Sequence, residues 1–330
     1  MADRALRLRL RDIKARGLGR ALVMRLGQAV LAAFGASLLV WLMLPLAPGD
    51  PVDMILNAQR VEEPTDQHIA ALRDRFGLDR PLWQRYLVWI GGVVQGDFGL
   101  SWRTGEPVLS GLMRRLPATL QLVGLSFVIS VAWSLGLALV AARWAGRWPD
   151  RLVLAYTRVL AATPSFVLAL LVLQFVVVGM GIGLVLSGGA GATLIIAAAI
   201  LGIDRAAGWT QLLRAGLLEH LARGPADVAK ARGARPGRVL AIYALPPALL
   251  PWMTALGISL GGLIGGAPIL EMIFTWPGIG EHVLTALSVR DVPVIQAFVL
   301  IAVLAYVAAS LLVDAMAIML DPRMRHARHA

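Results

Sequence analysis

The chain has no cysteine among its 330 residues. Disulfides, thiolate metal sites and cysteine nucleophiles are therefore excluded together, and the redox compartment cannot be read. Lysine is almost as scarce. The two present, Lys14 and Lys230, are not followed by Ser or Thr, so the phosphate-cradling Gly-x-x-x-x-Gly-Lys-[Ser/Thr] loop is missing. Charged residues make up only 15% against 58% hydrophobic, with mean hydropathy +0.72, which excludes a soluble domain and indicates an integral membrane protein. Histidine is limited to His68, His220, His282, His326 and His329, none inside a long apolar run, so no metal site is expected. The net charge of +11 is expected to reflect Lys and Arg gathered in cytoplasmic loops rather than affinity for nucleic acid.

What is present in quantity is uncharged length. A helix needs about 20 mostly apolar residues to cross the hydrocarbon. Leu26 to Gly49 is one such run, and Leu116 to Ala142 is a second. Val159 to Ile203 is too long for one helix and reads as two, broken at the glycines between Gly179 and Gly191, with Asp204 and Arg205 interrupting the second. Val239 to Leu270 is the fifth and Val292 to Val313, continuing to Leu320, the sixth. The expected fold is an all-α polytopic membrane protein with six transmembrane helices.

Arginine sets the expected orientation. The arm before the first span carries Arg4, Arg7, Arg9, Arg11, Lys14, Arg16, Arg20 and Arg25 against Asp3 and Asp12, which places it in the cytoplasm, where its spacing also suits an anionic lipid surface. Six spans return the tail, with Arg323, Arg325 and Arg328, to the same side. The chain thus divides into a cytoplasmic basic arm (1–25), a first transmembrane helix (26–49), an extracytoplasmic segment (50–115), a core of five further helices (116–320) with a cytoplasmic loop at 214–246, and a cytoplasmic tail (321–330). Within the extracytoplasmic segment, apolar residues recur three and four apart around 65 to 76 and 81 to 94, which predicts two helices.

The cytoplasmic loop is the stretch whose pattern is hardest to explain by topology alone. Gly224-Pro225 starts a new helix, Ala226 to Arg232 has the composition of a short surface helix, and Gly233 ends it. Ala226, Ala229 and Ala231 are small enough to permit close approach by another protein, and Leu245-Pro246 marks re-entry into the membrane. A solvated loop and a docking site fit this pattern equally well.

Asp227-Val228-Ala229, three residues, Gly233, nine residues, then Tyr243-Ala244-Leu245-Pro246 resembles the Glu-Ala-Ala loop of ATP-binding-cassette (ABC) import permeases. That family's pattern is Glu-Ala-Ala, three residues, Gly, nine residues, Ile, one residue, Leu-Pro. Asp227 stands for the Glu, Val228 for the first Ala and Tyr243 for the Ile, while Ala229, Gly233, Leu245, Pro246 and every interval are kept. Further stretches resemble the dipeptide, oligopeptide and nickel branch. They include Gly49-Asp50-Pro51, Gly77-Leu78-Asp79-Arg80-Pro81-Leu82-Trp83, Gly96-Asp97-Phe98-Gly99 with Ser101, and Arg115-Leu116-Pro117-Ala118-Thr119-Leu120. Arg214-Ala215, Gly265-Gly266, Glu271, Phe274-Thr275-Trp276-Pro277-Gly278-Ile279-Gly280, Arg290-Asp291 and Asp321-Pro322-Arg323 belong to the same likeness, which is poor only over 179–205.

The resemblance implies a type I ABC importer permease fold in the bacterial inner membrane, with both termini cytoplasmic and no catalysis by this chain. It implies a pair of cytoplasmic ABC ATPase subunits, using ATP and Mg, that grip the loop at Asp227, Val228, Ala229, Gly233, Tyr243, Leu245 and Pro246. A second homologous permease would complete the path, and an extracytoplasmic solute-binding protein would deliver solute. The chain itself would bind no cofactor or metal, and the residues of the path are not identified. Di- or oligopeptides come first as solute and nickel or a metal chelate second, because the spans offer a transition metal no Cys or His. An ion-coupled secondary transporter is the remaining alternative. Its candidate groups, Arg158, Asp204, Arg205 and Asp314, are all expected near an interface, where anchoring is the simpler role.

Overall fold

A computed structural model describes residues 24, 27–46, 49–59, 61, 64–179 and 190–320. The basic arm, the tail and most of the expected glycine-rich turn lie outside the described residues. Among those described, the elements are helices, joined by one isolated antiparallel bridge between Leu100 and Pro107. The chain forms two compact units, residues 1–109 with 289–322 and residues 110–288 with 323–330.

The first unit contains α1 (Gly27–Leu46), α2 (Pro51–Gln59), α3 (Asp66–Arg75), α4 (Leu82–Val94) and α13 (Val292–Leu320). The two helices expected around 65–76 and 81–94 are α3 and α4, while α2 carried no signal that the sequence reading used. Asp50 starts α2 by accepting the Val52 N–H at 2.8 Å, and it also pairs with Arg73 of α3. Thr65 caps α3 through its Oγ1, which accepts the His68 N–H at 3.3 Å. Val52, Ile55 and Leu56 are buried with Leu72, Trp102 and Val292 in a small apolar core. Beside it, the buried Asp291 carboxylate accepts from the Ser101 hydroxyl at 2.5 Å and the Trp102 N–H at 3.0 Å. Asp50, Ser101 and Asp291 are all residues of the family likeness, and each holds this unit together.

The second unit holds α5 (Val108–Arg143, mostly), α6 (Trp148–Ala162), α7 (Ser165–Val172, continued by a π-helical turn to Val178), α8 (Ala190–Leu221), α9 (Gly224–Ala231), α10 (Pro236–Val239), α11 (Leu245–Ile273) and α12 (Ile279–Ser288). Among the described residues, four helical stretches are long and apolar enough to cross a membrane: α1, α5, most of α8, and Pro236–Ser259. The α6–α7 pair passes together as a fifth, bent by 102°. The bend falls at Thr163-Pro164, where Pro forces the preceding residue out of the helical region; Thr163 has φ −109° and ψ 119°. The 29-residue α13 is helical over the whole of the expected sixth run, and its stretch Val292–Ala308 is apolar but shorter than a full crossing.

Two expectations change. The third span begins at Trp148, with Pro149 in its first turn, rather than at Val159. The fourth does not stop at Asp204 and Arg205 but runs through them for 32 residues. Charge makes a position expensive in lipid, yet neither side chain conflicts sterically with a helix, so apolar-run length and helix length part company here.

Close packing of α8 depends on Gly202. A Cβ there would lie 2.7 Å from the Ser126 carbonyl oxygen of α5, and the Ser130 hydroxyl donates to the Gly202 carbonyl at 2.8 Å. Leu122, Leu201, Leu213, Leu217, Leu263 and Leu270 fill the core between α5, α8 and α11. At one end of this core lies a polar knot. Glu271 is completely buried, and its carboxylate accepts from the Thr119 hydroxyl at 2.7 Å, from the Gly280 N–H at 2.7 Å and from the Glu281 N–H at 3.1 Å. It thereby caps the positive end of α12.

Candidate functional site

The loop singled out in the sequence forms a small rigid body. An isolated eight-residue helix is not stable in water, so α9 needs tertiary support. Ala226 and Ala229 supply it by burying themselves against Val239 of α10, with Leu221 and Ala234 alongside. Their smallness therefore serves contact within the chain, not with another protein as the sequence suggested; Ala231 alone of the three is exposed. Lys230 adds a clip, its Nζ donating to the Leu221 carbonyl at 2.8 Å and to Asp227 Oδ1 at 3.0 Å. The first of these places a cation at the negative end of α8.

The end of α9 is a Schellman turn. Ala234 N–H reaches the Ala229 carbonyl at 3.0 Å, Gly233 N–H reaches that of Lys230 at 2.9 Å, and Gly233 takes φ +78°, which glycine adopts without strain. With two alanines turned inward, the outward surface includes Asp227 (61% exposed side chain), Val228 (53%), Lys230, Ala231 and Arg232.

Beyond α10 the helix widens into a π turn over Leu240–Ala244, in which the Leu245 N–H bonds to the Leu240 carbonyl. Pro246 and Pro247 explain it: lacking N–H groups, they leave the carbonyls of Ile242 and Tyr243 without α-helical donors. Tyr243 is exposed on this turn, Leu245 is half-buried against the main core, and Pro246 opens α11. The seven site residues are thus brought into one continuous α9–α10–α11 segment. Sequence reasoning missed the tie beneath it. Arg214, two turns before the end of α8, makes a bidentate pair with the buried Asp150 of α6 at 2.6 and 2.7 Å, and Asp150 also accepts the Gly146 N–H at 2.8 Å. Nothing in a sequence relates two charges 64 residues apart.

Away from the loop, the second unit has a cavity of about 1070 Å³ lined by Arg114, Arg115, Gln121, Thr193, Phe274 and Trp276, among others. Among the described residues no group of three or more His, Asp or Glu side chains is placed to hold a metal ion.

Residues 134–326 match the family described as the binding-protein-dependent transport system inner membrane component, and residues 18–123 match that family's N-terminal membrane component. The chain belongs to this family of inner-membrane transport permeases. The permease is 32% identical over 304 residues to the glutathione transport system permease protein GsiC of Shigella boydii serotype 4 (strain Sb227), covering 92% of this chain and 98% of that one. The same figures hold for GsiC of Escherichia coli (strain K12). A crystal structure titled as an amino acid ABC transporter with histidines is similar over 64% of the permease and 94% of that chain, at 22% identity and TM-score 0.49. By its family the permease is a multi-pass, all-α inner-membrane component of a binding-protein-dependent transport system.

Proposed function

We propose that this permease forms half of the translocation path of an ATP-driven importer for small peptides, and that α9 is the knob through which ATPase subunits move it. The observation that carries this reading is the two-sided construction of α9. Its small residues lock inward onto α10, its last turn is sealed at Gly233, and its exposed face offers Asp227, Val228 and Arg232 to a partner. Force applied to that face passes directly into α8, through Lys230, and into α11, through α10 and the π turn. Two cytoplasmic ATPase subunits would hydrolyse ATP with Mg, a second, homologous permease would supply the other half of the path, and an extracytoplasmic binding protein would deliver solute. The arginine-rich arm and loops support a cytoplasmic side for both termini and α9.

A small peptide is the favoured solute because the curated relatives are named for glutathione, itself a tripeptide. Val228→Asp tests the coupling role, since the residue is exposed and its replacement leaves the packing of α9 alone. The variant permease is expected to assemble with its homologous partner while solute-stimulated ATPase activity falls at least about tenfold, as loss of an interface anchor would give. Unchanged stimulation, or uptake by the permease without any ATPase, would refute the proposal. Mass spectrometry of the ligand retained by the partner binding protein checks the solute class; free nickel alone would replace peptide with the second alternative.

A further inference from the structure

Arg205 is the sixteenth of the 32 residues of α8, about 23 Å of helix from either end. A cation in the interior of a membrane-crossing helix, rather than at the end expected from the sequence, favours a water-filled cavity, a path or an opposing charge over lipid. Its position is built into the packing. Gly262 and Gly266, one turn apart on α11, leave the space the guanidinium fills, and a Cβ at either would come within 3.4 Å of Nη1 or Nη2.

Its charge is only partly compensated. Asp204 lies 3.9 Å from Nε, beyond hydrogen-bond distance, and Nε is buried with no hydrogen-bond partner. At the same time 37% of the side chain is exposed. The guanidinium therefore keeps donors and attraction in reserve for an anion arriving from its open side, in the planar geometry that suits a carboxylate. A second feature has the same sign. The cavity that holds Arg114 and Arg115 includes Thr193, twelve residues and about 18 Å earlier along α8.

We infer that Arg205 is a contact within the membrane-crossing helix α8 for a carboxylate of the passing solute, so that this permease favours peptides with a free carboxylate over their amides. The inference rests on the reading of the chain as a peptide-import permease. The test uses the complete transporter, with both permeases, the ATPases and the binding protein, in proteoliposomes. Uptake of a tripeptide with a free C-terminal carboxylate is compared with that of its C-terminal amide. Arg205→Gln is expected to lower uptake of the acid about tenfold or more while that of the amide changes less than about threefold, the loss typical of one charged hydrogen-bond contact. Arg205→Lys is expected to restore much of the difference.

Equal loss for both solutes, no loss for either, or failure of the two permeases to copurify in Arg205→Gln would overturn the inference, the last by showing that the guanidinium pairs with the partner permease. A wild-type transporter that carries neither peptide would instead remove the peptide reading, and this inference with it.

Discussion

Glu271 offers the sharpest test of how the second unit is held together. Its carboxylate is completely buried and serves three donors, the Thr119 hydroxyl from α5 and the N–H groups of Gly280 and Glu281 at the start of α12. The turn between α11 and α12 closes over it so tightly that a Cβ on Gly278 would overlap the carboxyl group. Glu271→Ala removes the acceptor and strands two buried donors and one part-buried donor. Hydrogen bonds to charged groups contribute about 1.5–3 kcal/mol each, but three bonds to one group are not additive, so a loss of about 3–5 kcal/mol is expected. For a unit of this size that corresponds to a fall of roughly 6–20 °C in unfolding temperature.

Glu271→Gln keeps an oxygen for the two N–H groups of α12 but loses the charge facing the helix end and the acceptor for the Thr119 hydroxyl, which can turn to accept from the new amide instead, so it is expected to cost about 1–2 kcal/mol. The assay is thermal unfolding of the purified transporter, followed by tryptophan emission, with Thr119→Ser as a variant that preserves the hydroxyl. Loss of less than about 1 kcal/mol in Glu271→Ala, or equal losses in the Ala and Gln variants, would refute the capping argument.

Two further outcomes follow from the packing. Asp150→Asn is expected to destabilise the second unit by about 3 kcal/mol, because it leaves Arg214 with an unpaired charge, and Asp150→Asn with Arg214→Gln together is expected to lose less than the single change; a double-mutant cycle by thermal unfolding measures both. Gly202→Ala is expected to lower stability by about 1–3 kcal/mol, since its methyl group would press on the Ser126 carbonyl, and a denaturation midpoint equal to wild type would show that α5 and α8 yield without strain.

Helix positions were legible where apolar run and helix coincide, as in α1 and α13, whereas α5 starts eight residues before its apolar run, through Arg114 and Arg115. They diverged at α8, because Asp204 and Arg205 end an uncharged run without ending a helix. They diverged again at α6, whose first turns are polar enough to look like loop until Pro149 is recognised as a helix start. The α9 helix and its stop at Gly233 were readable because capping and turn chemistry are local. What α9 packs against was not, since burial of Ala226 and Ala229 depends on Val239 folding back. The knot at Glu271 and the clamp at Asp150 were invisible for the same reason: Thr119 and Glu271 lie 152 residues apart.

The π turn at Leu240–Ala244 has a geometric effect that outlasts its five residues. It carries one surplus residue, which offsets the angular phase of everything on one side of it by about 100° relative to a continuous spiral. Because α9 is fastened to α10, the azimuth at which Asp227 and Val228 present themselves is set here, by two prolines that touch neither. Deleting Ile242 alone would restore ordinary winding and turn the exposed face of α9 by about a quarter-turn, with no change in any residue it displays.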